Sequence, residues 1–146
     1  MIEFGLYVLT DYFLDNIYPK YYPINKITGE RPFFMIFKDD KKKDVYWLIP
    51  ISSQDKKYEE VFKKYPNAGE FVVLHNNKRS AVLTQNIIPV RKEHIEREFT
   101  VNNIHYVLKD KQKRKVILKK AKIVKALLLN KKMNASIDIL KIYNSL

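Results

Sequence analysis

The sequence predicts an α+β fold: a small, strongly bent antiparallel sheet closing toward an SH3-like barrel, with short helical insertions, a long basic C-terminal helix and a final short helix. Three observations predict it. Between Arg31 and Ser53, two apolar runs rich in aromatic and β-branched residues, RPFFMIF and VYWLIPISS, flank the polar tip DDKKKD, as in a β-hairpin. Further short runs of the same kind follow, broken by Pro, Asn and Gly. From about Ile104 the composition turns lysine-rich, with apolar residues at three- and four-residue steps, which is a helical period. No repeat or linker divides the chain, so its 146 residues read as a single domain, 1–146.

Taken in order, Phe4 to Leu9 is a short apolar strand. Thr10 or Asp11 can cap a helix over Asp11 to Tyr18, with Phe13, Leu14 and Ile17 on one side and Pro19 ending it. The loop from Lys20 to Gly29 holds Lys20, Tyr21, Tyr22 and Lys26. Aromatics interleaved with cations suit stacking on unpaired bases beside neutralised phosphates, and they equally suit the lid of a barrel end. Two adjacent tyrosines cannot both enter a core from one extended segment, so at least one should be exposed.

After the hairpin, Tyr58, Val61 and Phe62 place a short helix within Asp55 to Tyr65, broken by Pro66, Asn67 and Gly69. Glu70 to Leu74 and Arg79 to Thr84 form a second hairpin across the turn HNNKR, and Asn86 to Arg91 is a last short strand. Leu108, Val116 or Ile117, Ala121, Val124 and Leu128 then mark a helix running from about Ile104 to Lys132. Its outer face is almost purely Lys and Arg, and Asp110 is the sole acid between Glu98 and Asp138. Like charges four apart cost a helix a few tenths of a kcal/mol per pair. Either an RNA backbone or an apolar face packed on the sheet should offset them. A final helix starts at Ser136, read as its cap, and continues through Ile137, Leu140 and Tyr143.

A formal charge of +12 and a pI near 9.7 favour polyanionic partners; a lysine-rich solubilising surface is the plainer reading. With no cysteine, disulfides and zinc–thiolate sites are excluded. The first residues lack a basic n-region, and no apolar run reaches the ~20 residues of a membrane span. The chain is therefore expected in the cytoplasm, away from membranes.

Most site chemistries find no residues to carry them. His75, His94 and His105 lack ligand spacing, so no metal is expected. No phosphate-cradling glycine loop is present, and no cofactor is expected. Ser52 and Ser53 lack a nucleophile elbow, and glycosidase-type carboxylate pairs are missing. RNA cleavage by the substrate's own 2′-hydroxyl needs neither metal nor protein nucleophile. It needs donors on the non-bridging phosphate oxygens and proton transfer at the 2′ and 5′ oxygens. In an antiparallel pair the start of one strand lies beside the end of the next. Arg31, Ser52, Ser53 and Lys56 should therefore share one rim, with Asp55 the only acid there. The plainer roles are helix capping for the serines and a surface position for Arg31. His75 joins the site if its turn folds back to the rim; otherwise it is a solvated turn residue. Lys57, Lys78 and Arg79 add cations around these loops, and Lys113, Arg114, Lys119 and Lys120 add more on the long helix.

These stretches, RPFFMIF, then YWLIPISS-x-x-K, then SAVLTQNIIPV and a long basic helix, resemble the type III toxin–antitoxin endoribonucleases of the ToxN/AbiQ/CptN group. The resemblance runs in order through most of the chain. It departs at Arg31, where ToxN-like members have lysine, and at Lys56, which arrives one position late. The resemblance implies a MazF/Kid-like barrel and a metal-independent endoribonuclease that leaves a 2′,3′-cyclic phosphate. It further implies two RNA partners, cellular mRNA and a small pseudoknot-like repeat RNA that the toxin processes and is inhibited by, in a protein–RNA oligomeric assembly. Gly29-Glu30-Arg31-Pro32 also looks like the strand start of PemK/MazF toxins, whose antitoxins are proteins. A non-catalytic RNA-binding barrel is the alternative outside the enzymes.

Overall fold

The computed structural model describes residues 1–20, 22, 32–130 and 136–146. The expected fold class is the one found: an antiparallel sheet with short helices, a long helix near the C-terminus and a short final one. In chain order the elements are β1 (Leu6–Leu9), α1 (Asp11–Asn16), β2 (Pro32–Lys38), β3 (Val45–Ser52), α2 (Glu59–Lys64), β4 (Glu70–Val73) and β5 (Arg79–Val82). They continue with β6 (Ile88–Arg91), β7 (Ile95–Glu98), β8 (Thr100–Val101), β9 (Ile104–His105), α3 (Lys111–Leu129) and α4 (Ser136–Ser145). Among the described residues, no helix is long and apolar enough to cross a membrane.

The hairpin of β2 and β3 is the centre of the sheet, whose order is β4-β5-β3-β2-β1-β7 with β6 also on β3. One edge of β3 changes partner along its length: Val45 to Leu48 face β6, whereas Ile51 and Ser52 face β5. The seam falls at Pro50, whose carbonyl accepts from Leu83 N at 3.0 Å. A proline has no N–H to leave unpaired where the partner changes, so the strand can bend there without losing a ladder bond. Residues 33–36 and 47–49 are buried without alternation, because the sheet interior covers one face and other elements cover the other. One of those is α3, which lays Ile117, Ala121, Val124 and Leu128 on the core.

Local chemistry accounts for the boundaries. Thr10 caps α1, its Oγ1 accepting from Phe13 N at 3.2 Å. Asp110 caps α3 through Lys113 N at 3.1 Å. Gly69 is needed for space and not for its backbone angle, which is extended. A Cβ there would overlap the Phe62 ring and come 2.5 Å from the Val82 carbonyl oxygen. Gly69→Ala should therefore lower stability by about 1–3 kcal/mol, read from the denaturant midpoint; an unchanged midpoint would show that Phe62 can move aside.

Several expectations need correction. The long helix begins at Lys111, not near Ile104, because residues 104–105 form β9. The strand at Ile88–Arg91 is not the last one: β7, β8 and β9 follow it, and Asn102 and Asn103, with positive φ of 55° and 65°, form the two-residue hairpin turn between β8 and β9. In α4, Ser136 lies within the helix instead of ahead of it. From Asp138 onward, Ile139 and Tyr143 are buried, whereas Leu140 is only half-buried.

A polar cluster ties α4 to the central hairpin. The Asp39 carboxylate is buried and accepts from Trp47 Nε1 at 2.8 Å, Tyr143 OH at 2.9 Å, Lys42 N at 2.8 Å and Lys41 N at 3.1 Å. Lys42 Nζ in turn donates to the carbonyl oxygens of Tyr143 and Leu146 at 2.8 and 3.1 Å, closing the end of α4.

Candidate functional site

The register of β2 on β3, Phe33 opposite Pro50, brings the start of one strand beside the end of the other. Arg31, immediately before β2, lies outside the described residues, as do Tyr21 and Lys26. The described part of the rim is the loop that leaves β3. Ser52 is half-buried, and its Oγ accepts from Gln54 N at 3.2 Å. Ser53 is exposed, and its hydroxyl has no hydrogen-bond partner among the described residues. The two serines thus divide the alternatives that the sequence left open. Ser52 shapes the turn, and Ser53 presents a hydroxyl to solvent.

Lys56 and Lys57 are exposed on the single 3-10 turn Asp55–Tyr58 that follows. Lys57 Nζ rides 5.6 Å from the Tyr58 ring. Tyr58 anchors the turn by burying itself against Ala81 and Leu83. A second anchor is ionic: Arg79 Nε donates to Asp55 Oδ2 at 2.9 Å, and its Nη2 donates to Glu59 Oε1. The guanidinium also lies 4.1 Å from the centre of the Phe71 ring. The hydrogen bond from Arg79 holds the Asp55 carboxyl below the usual carboxylate range, and the bonds to Glu59 and then Asp55 raise Arg79. Arg79 is thus shared between two carboxylates, Asp55 and Glu59. Arg79 is a brace for this loop and not a free phosphate donor, which corrects its expected role. Asp55 and Glu59 stand four apart, so both can reach one cation from one side of the turn, a spacing visible in the sequence.

The other expected RNA contacts fall into three groups. Lys20, Lys78 and Lys119 are exposed. Tyr22 is buried in an aromatic cluster, 5.6 Å from Tyr18, which itself meets Phe33 at 5.7 Å. At 3% exposure its ring is part of the core and is not open to stacking on a base. Lys113 and Lys120 both reach Glu70 at 3.4 Å, and Lys120 donates to the Gly69 carbonyl at 2.8 Å. Burial alone would raise Glu70, but the Phe71 amide and these two lysines hold it low. Arg114 donates to the Glu3 carbonyl at 2.9 Å and covers the Phe4 ring at 5.0 Å. Lys113 and Lys120 hold α3 to the start of β4, and Arg114 holds it to the segment before β1.

The histidines serve the fold. His75 is exposed in the β4–β5 turn and rests on the rings of Tyr106 and Phe99, at 5.3 and 6.1 Å. His94 packs on Phe13 at 5.0 Å, and burial lowers its pKa. His105 bridges Glu98 Oε2 and the Leu6 carbonyl, each at 3.0 Å.

No family model and no curated relative matches the chain. Among solved structures it is similar to AbiQ, a lactococcal anti-phage endoribonuclease belonging to the type III toxin–antitoxin system. The two align over 92% of this chain and 87% of the other with a TM-score of 0.56. The chain shares the fold of AbiQ. At 17% identity this likeness resides in the backbone and not in matched side chains. The uncovered share of this chain, about 12 residues, is shorter than the 19 residues of α3, so at least part of that helix belongs to the fold in common with AbiQ.

Proposed function

We propose that this chain is an endoribonuclease toxin of a type III toxin–antitoxin system, acting as a single domain in the cytoplasm. The nearly end-to-end fold likeness to AbiQ carries this reading, and the exposure of both Ser53 and Lys56 where the chain leaves β3 supports it. In the proposed reaction the RNA 2′-oxygen attacks the adjacent phosphorus. The 2′-O–P bond forms, the P–5′-O bond breaks, and the products are a 2′,3′-cyclic phosphate and a 5′-hydroxyl. The proton leaving the 2′-hydroxyl is balanced by one delivered to the 5′-oxygen, so neither water nor metal enters. Arg31, Ser53 and Lys56 donate to the non-bridging oxygens, where charge develops, and Ser52 positions the turn that carries Ser53 and Lys56. The partners are cellular mRNA and a small pseudoknot-like repeat RNA, which the toxin processes and which then inhibits it within a protein–RNA assembly.

Purification from the native operon without nuclease treatment tests this reading. A 260/280 nm ratio typical of nucleic acid is expected, together with one discrete short RNA ending in a 2′,3′-cyclic phosphate. Nucleic-acid-free protein silenced by a neighbouring small protein would instead favour a PemK/MazF-type system. Heterogeneous RNA without defined ends would favour a non-catalytic RNA-binding barrel.

A further inference from the structure

The eight cations of α3 divide into two sets, and the division assigns a docking line. The helix has no acidic residue. Lys113 and Lys120 are held by Glu70, and Arg114 by Glu3 and Phe4. Lys125 lies 3.7 Å from Asp39 and 5.2 Å from the ring centres of both Phe37 and Trp47. The other four, Lys111, Lys115, Lys119 and Lys122, are exposed and form no ion pair with any described residue. Their steps of four, four and three keep them on one face, opposite the buried line of Ile117, Ala121, Val124 and Leu128.

We propose that this stripe binds the sugar–phosphate backbone of one RNA strand. The inference deepens the reading under Proposed function and rests on it for the choice of RNA. The eleven residue steps from Lys111 to Lys122 span roughly 16 Å at about 1.5 Å each. At about 3.4 Å of axis per phosphate on one strand, that is on the order of five phosphates. Charge complementarity and spacing therefore agree. Four uncompensated lysines at these spacings repel one another, and phosphates on the same face would remove that repulsion. The stripe excludes Lys113, Arg114 and Lys120, whose charges face the protein, and adds Lys111, Lys115 and Lys122 to Lys119.

The test compares two variants of the full chain: K111Q/K115Q/K119Q/K122Q and K113Q/K120Q. Both are titrated with a fluorescent 20-nucleotide oligouridine between 50 and 200 mM salt. Removing four phosphate contacts should flatten the slope of log affinity against log salt by about 3, and lower affinity near 100 mM salt by on the order of 10²-fold. The stripe variant should keep its melting temperature, because glutamine is nearly as good a helix former as lysine. The K113Q/K120Q variant should keep the slope and lose melting temperature. An unchanged slope in the stripe variant overturns the proposal, as does binding to phosphatidylserine vesicles that is lost with the stripe while oligouridine binding persists. Cleavage by the unmodified protein is scored separately. No cutting with the slope change intact overturns the nuclease reading alone, whereas cutting with an unchanged slope overturns the stripe alone.

Discussion

Replacing Ser53 with alanine should slow RNA cleavage by on the order of 10²–10³-fold, the usual loss when one donor to a developing oxyanion is removed. RNA affinity should change only a few-fold, because the exposed cations of the surface would still neutralise the backbone. The effect should be asymmetric within the serine pair. The Ser52 hydroxyl accepts from Gln54 N at 3.2 Å and therefore shapes the loop, so Ser52→Ala should act through the position of the turn. Its deficit should be smaller and should be accompanied by reduced loop order. Because Ser53 has no hydrogen-bond partner among the described residues, its removal costs the fold nothing that would confuse the result. Single-turnover cleavage and equilibrium binding, measured on the same RNA, separate the two roles. Parallel loss of cleavage and affinity would make Ser53 a binding residue and favour the non-catalytic barrel.

The second large effect lies far from that rim. Asp39→Ala should destabilise the protein by about 3–5 kcal/mol, because it leaves Trp47 Nε1, Tyr143 OH and two backbone amides without their buried acceptor. Asp39→Asn should cost less, since the amide oxygen can still accept while its NH₂ faces donors. The carboxylate also predicts acid sensitivity. Burial alone would raise its pKa, but the bonds from Trp47, Lys42, Tyr143 and Lys41 outweigh burial and hold it at about 2. A group depressed in the folded state contributes stability above its unfolded pKa, here 3.8, and that contribution is lost as pH falls toward 2. The loss should reach about 2 kcal/mol, read as a falling melting temperature between pH 4 and 2 that is absent in Asp39→Ala. The same contact, after burial, pushes Tyr143 up to about 12, so that hydroxyl remains a donor to Asp39 throughout the neutral range. Equal acid sensitivity in both proteins would show that the cluster is not the origin.

Much of the fold was legible because its signals are local. Alternation of apolar runs with turn residues marks the central hairpin, and Thr10 marks the start of α1. The helical period of α3 predicts its buried line, since 3.6 residues per turn is a property of the backbone itself. The strands β7, β8 and β9 were missed because each is short and mostly exposed, so no hydrophobic pattern reports them.

What the sequence by itself determined is the fold class, the basic helix and the gathering of Ser52, Ser53 and Lys56 on one loop. Which charges are spent was decided only by tertiary structure. Glu70 meets Lys120 across 50 residues, and Asp39 meets Tyr143 across 104. A lysine bound to a buried carboxylate and one open to solvent are the same letter in sequence. Coulomb attraction depends on separation in space and on how much water lies between the charges, and neither is written in the order of residues along the chain.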